Sequence, residues 1–174
     1  TACEAAQDQP SKPVCDFLAA DLDNESFNSA LGLSNDAAAQ QYSLVVANNN
    51  DYPVNVSVMK NVARVGQNVM EQVAFSTQVV PRGTKRIDLP QREGDGAQGQ
   101  TGGYTATSGS GTFVSPHAYH GLTTGPVVVY QFNPIIQQFS NDASTLIPIQ
   151  ALGTDYIAMG FQTANPCAIE GLSQ

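Results

Sequence analysis

The run at residues 127–132 (VVVYQF) constrains this chain more than any other stretch. It is an unbroken series of β-branched and aromatic side chains, bounded by Gly125-Pro126 and Asn133-Pro134. Such a run reads as a strand buried on both faces. Proline lacks a ladder donor and pushes the residue before it out of helix, so the strand ends at Asn133-Pro134. Ser140-Asn141-Asp142 is a polar corner whose side chains can bond nearby backbone. Residues 143–149 read as a further strand, ended by Pro148, and Leu152-Gly153-Thr154 turns the chain into a last strand at 155–161.

The chain before this region repeats the β signal. Residues 41–47 (QYSLVVA) form a strand, and 48–52 (NNNDY) form a turn by composition. In 53–60 (PVNVSVMK) Val54, Val56 and Val58 alternate with polar residues and Met59, the period of a half-buried strand. The expectation is a hairpin of these two strands with its valine face inward. Residues 67–75 follow as strand despite some helical propensity, then 78–81 and 85–89 as two strands around Arg82-Gly83-Thr84. A strand is also expected at 15–22, preceded by an extended arm at 1–13 and followed by a polar excursion at 23–39, with one helical turn near Asp36. Residues 90–111 are rich in glycine and almost devoid of apolar groups, so they predict an exposed loop, nicked first by proteases after Arg92. β character resumes at 112–124. Eight to ten short strands without an amphipathic helix give an all-β chain, an antiparallel β-sandwich or jelly-roll-like fold with a long Gly-rich loop.

At 174 residues this is one domain. The net charge of −8 argues against nucleic acid and anionic lipid, and no apolar run is long enough to span a membrane. The sequence starts without Met or an apolar leader, so any signal peptide is expected to be already absent. Only 13% of residues are charged, a neutral-polar composition common in secreted and surface β proteins. There are three cysteines, Cys3, Cys15 and Cys167, which allow one disulfide and leave one thiol. A Cys3–Cys15 bridge would restrain the unfolded chain by about 3 kcal/mol, a Cys15–Cys167 bridge by about 5.

The chemical motifs are thin. Gly94-Asp95-Gly96-Ala97-Gln98-Gly99 matches a dinucleotide fingerprint as text, but it neither follows a strand nor opens a helix. Ser108 and Ser110 lack the glycine two residues earlier that a nucleophile elbow needs. His117 and His120 are the only histidines; three apart on a strand they point to opposite faces, and they read as loop residues near a strand end. No Cys-x-x-Cys is present. The oxygen-rich corners give the one weak metal expectation, calcium on Asp21, Asp23, Asn141 and Asp142. Turn formation alone also accounts for these residues. Asn24-Glu25-Ser26 and Asn55-Val56-Ser57 fit the glycosylation sequon.

Three stretches, PVVVYQFNP at 126–134, FSNDASTLIP at 139–148 and ALGTDY at 151–156, carry a resemblance. Together they resemble the core of the N-terminal domain of the IgG Fc-binding protein family, found in a large mucin-associated animal protein and in many bacterial secreted or surface proteins. Cys15-Asp16-Phe17 and Ala20-Asp21-Leu22-Asp23-Asn24 are similar to the opening strand of the bacterial members. The resemblance covers roughly Cys3 to Cys167, and the matching residues are framework. It implies that the chain is the first half of a longer domain, with strand edges left open, and that Cys3 pairs with Cys15. It also implies a non-catalytic extracellular module acting in binding, adhesion or surface assembly, with a protein or glycan partner or self-association. A structural subunit of a surface layer or filament is the alternative. An enzyme with a dispersed site over His117, His120, Asp142 and Asp155 is the third reading.

Overall fold

The computed structural model describes residues 2–7, 13–22, 26–28, 34–36, 40–94, 114–135 and 141–157. Its long strand is β8, Tyr119–Phe132, which takes in the 127–132 run and extends it by eight residues toward the N-terminus. Around β8 are grouped β1 (Val14–Ala19), β4 (Ser43–Ala47), β5 (Val54–Asn61), β6 (Glu71–Val79), β7 (Thr84–Asp88) and β9 (Ala143–Thr145). The seven form one antiparallel sheet, in which β6-β5-β8-β4-β7 is the main path and β1 and β9 lie on the other side of β8. A separate antiparallel pair joins β2 (Ser26–Asn28) to β3 (Ser34–Asp36). The all-β, antiparallel fold is therefore as the sequence indicates.

β8 folds the sheet into two wings. Its first half pairs with β5 and β1, through Val58↔Gly121 and Phe17↔Gly121. Its second half pairs with β4 and β9, through Val45↔Tyr130 and Tyr130↔Thr145. Between the halves the ladder to β1 jumps from Asp16↔Leu122 to Val14↔Val127, a bulge that lets β8 turn the corner. The corner is held by the Thr123 hydroxyl, which donates to the Gly125 carbonyl at 2.8 Å. Gly125 and Gly121 are small because space demands it. A Cβ on Gly125 would stand 2.9 Å from the Tyr52 ring, and one on Gly121 would stand 2.0 Å from the Phe17 ring.

Between the wings lies one core: Phe17 from β1; Leu44 and Val46 from β4; Val54, Val56 and Val58 from β5; Ile87 from β7; Tyr119, Val127 and Val129 from β8. The valines of β5 face inward as their alternation predicts. The 127–132 run does not: Val127 and Val129 are buried, while Tyr130 is 38% exposed, so only one face is covered. The expected hairpin of 41–47 with 53–60 is also absent, because β8 lies between β4 and β5. Asn48 enforces the separation. Its side-chain amide donates to the carbonyls of Tyr52, Val79 and Val80 at 2.8, 3.2 and 3.1 Å, and its oxygen accepts the Asn50 N–H. It thereby clamps the ends of three strands instead of turning one onto the next.

Other expectations shift by element. The N-terminal arm is not extended: Ala2–Gln7 is a short helix, α1, attached to β1 by the Cys3–Cys15 disulfide that the family resemblance implies. The strand expected over 67–75 begins at Glu71, after a turn. β9 stops at Thr145, Pro148 bridges Phe17, and Ile149–Ala151 is a 3-10 turn. Residues 155–157 are not strand; 158–161, Cys167, most of the 23–39 excursion and 95–111 lie outside the described residues. The edges expected to be open around 127–132 are closed by β4 and β9.

Candidate functional site

On the outer face of the first wing, three strands bring ionisable groups together. Phe17 and Tyr119 turn into the core, so the strand period turns Asp16 and His120 outward. Glu71 reaches the same face from the start of β6. The His120 imidazole is held from both ends, with Nε2 2.8 Å from Asp16 Oδ1 and Nδ1 2.7 Å from Glu71 Oε1. The three side chains retain between 22% and 30% of their exposure, so the bridge is neither sealed nor fully solvated.

The electrostatics favour the cation. Partial burial works against a charged ring, but the hydrogen bonds to Asp16 and Glu71, with the charges of both carboxylates, outweigh it and raise the His120 pKa above the usual histidine value. As an imidazolium His120 donates to both carboxylates. A ring so engaged has no lone pair to offer a substrate proton or a metal. Among the described residues no group of three or more His, Cys, Asp or Glu side chains is placed to hold a metal ion. The bridge is an ionic clasp across β1, β8 and β6.

Around the clasp the surface is apolar. Leu18 is 44% exposed and Leu122 40%, both on the outward rows of β1 and β8. Val73 on β6 and Val65, Val69 and Met70 in the β5–β6 connection are all exposed, as is Val80 just past β6. Exposed large apolar residues thus follow one hairpin along its length.

The residues singled out from sequence fall elsewhere. His117 and His120 do not converge: His117 Nδ1 lies 3.1 Å from the Glu93 carbonyl. Asp21 is buried, and its Oδ2 accepts the Arg92 N–H at 2.8 Å while its carbonyl accepts the Gly94 N–H. Above it Tyr42 and Tyr119 stack, their ring centroids 6.2 Å apart. Burial pushes the Tyr119 hydroxyl up to about 12, and it donates to the Pro90 carbonyl. The first residues of the glycine-rich segment are therefore anchored. Arg92 donates to the carbonyls of Asn61 and Pro116, which removes it as the favoured site of proteolysis.

Of the calcium candidates, Asp23 lies outside the described residues. The Asp21 and Asn141-Asp142 corners are tied to each other through Asn133, whose side chain donates to the Leu22 carbonyl and whose N–H donates to the Asp142 carbonyl. The Asp142 side chain is exposed, and the Asn141 amide donates to the Ile135 carbonyl. Asn141 acts as a donor, where the sequence suggested that these side chains would receive backbone donors. Asp155 is exposed at the described C-terminal end, where the Thr154 hydroxyl donates to it.

No family model matches the chain, and no curated protein matches it. Among solved structures, Thermotoga maritima 1070 is similar, at 12% identity over 79% of this chain and 94% of that one. Its TM-score of 0.35 is too low to bear on fold or function.

Sequence reasoning did not find the clasp. Asp16 and Glu71 lie 104 and 49 residues from His120, and nothing in their local sequence marks them. Only the registers of β8 against β1 and β5, and of β5 against β6, reveal it.

Proposed function

We propose that the chain is a non-catalytic extracellular β module that works by binding, adhesion or surface assembly. The observation that carries this reading is the exposed apolar series on the β5–β6 hairpin: Val65, Val69, Met70 and Val73. Contiguous apolar surface on a folded domain marks contact with another molecule more often than chance. The disulfide between Cys3 and Cys15 fits an oxidising compartment and so supports the extracellular part of the reading. The resemblance to the IgG Fc-binding family points the same way. An enzyme with a dispersed site has less behind it, since His120 is committed to two carboxylates and His117 to a backbone carbonyl.

The test is surface plasmon resonance of the immobilised chain against IgG Fc, a mucin-type glycoprotein and the chain itself. One of these is expected to bind, and the double variant Val69→Asp/Met70→Asp is expected to weaken it at least tenfold with an unchanged melting curve. Binding that survives the double variant would move the contact off the hairpin. Regular arrays in electron micrographs of the purified chain, with no binding in any arm, would favour the structural-subunit reading instead.

A further inference from the structure

We propose that the outer edge of β6 pairs with the same edge of a second copy of this chain, antiparallel about a two-fold axis at Thr77. This rests on the reading of the chain as a binding and assembly module and narrows it to one partner. Among the described residues β6 is an end strand of the sheet, bonded to β5 on one side. The opposite end strand, β7, carries Lys85, Arg86 and Asp88 within five residues, which blunts it against strand addition. β6 has Glu71 as its single ionisable residue and no proline. Its bulge falls between Phe75 and Val73 and leaves Phe75–Val79 in regular register with β5.

The direction of the backbone groups selects the register. The Asn55 N–H points across to Thr124 on β8, donating to its hydroxyl at 3.0 Å. Alternation along β5 then aims the Val56 amide and carbonyl at its β6 partner Thr77. On β6 the same alternation aims the amides and carbonyls of Ser76 and Gln78 outward, at the open edge. An axis at Thr77 sets Ser76 of each copy against Gln78 of the other, so these outward groups meet in pairs.

The side chains agree with that register. Ser76 and Gln78 share the outer face, and Phe75 meets Val79 on the inner one. Across the bulge, Val73 then lies against Val80, both more than 60% exposed in the single chain. Glu71 and Arg82 already hold His120 and Asp51 within their own chain, so the contact is carried by backbone and apolar groups. A parallel arrangement would bring Glu71 against Glu71. The contact is small, and interfaces below the usual size hold weakly, so the dimer forms with Kd on the order of 0.1 mM.

Sedimentation velocity of the full chain up to about 1 mM reads this directly, since a contact of that strength is populated there. A dimer is expected, with amide exchange at Ser76 and Gln78 slowing as concentration rises. Gln78→Pro removes an outward N–H that β5 does not use and is expected to weaken the dimer at least tenfold. Ser76→Lys places two like charges beside the axis and is expected to do the same; it decides the matter if the proline variant loses its circular dichroism. A chain monomeric at every concentration overturns the proposal, as does a dimer unaffected by either folded variant. A monomer that still binds IgG Fc or glycoprotein overturns the dimer alone and leaves the proposed function standing.

Discussion

At the scale of single residues, His120 makes the sharpest statement. Its folded pKa is raised, so its contribution to stability is full below the unfolded value of about 6.5 and is lost as pH rises through the folded one. The clasp is partly solvated, which limits it to about 1 kcal/mol. His120→Gln is expected to lower the melting temperature by about 2–4 °C at pH 5.5 and by much less at pH 9. Equal shifts at both pH values would show that the imidazole acts by packing and not by charge. Gly121 is a second such point. A methyl group there meets the buried Phe17 ring, and neither strand can retreat from a shared ladder. Gly121→Ala is expected to cost about 1–3 kcal/mol, read from denaturant midpoints.

At the scale of elements, Asn48 governs how strands are distributed between the wings. It is buried at the end of β4 and satisfies three carbonyls at the ends of β5 and β6. Asn48→Ala is expected to destabilise by about 3 kcal/mol, because the carbonyls lose their donor inside the protein. Asp142→Ala, by contrast, is expected to stay within about 0.5 kcal/mol, since that side chain is exposed and the backbone carbonyl makes the contact. Equilibrium unfolding of both variants side by side checks the pair. The same elements show how far the sequence could be read. The valine alternation of β5 and the stop at Asn133-Pro134 were legible, because both are local properties of backbone and side chain. The pairing of β4 with β8 in preference to β5 was not, since it depends on a polar side chain acting on residues some 30 positions away. The clasp was hidden for the same reason.

At the scale of the whole molecule, the anchored start of the glycine-rich segment changes where the chain is open to attack. Arg64 lies exposed in the β5–β6 connection, while Arg92 is bonded through its backbone and its guanidinium. Brief trypsin treatment is expected to cut after Arg64 before Arg92, as mass spectrometry of the first fragments would show. The placement of β8 also sets an order in time. β1, β4 and β5 lie far upstream, yet each takes β8 as a partner and none pairs with another of the three. While the chain is being synthesised, the β5–β6 hairpin and the β4–β7 pair can form and touch through Asn48, but no ladder joins them until β8 has emerged. A fragment ending at residue 118 is expected to show only hairpin signals by NMR and no cooperative melt. The keystone strand therefore emerges after every other described strand of the sheet except β9.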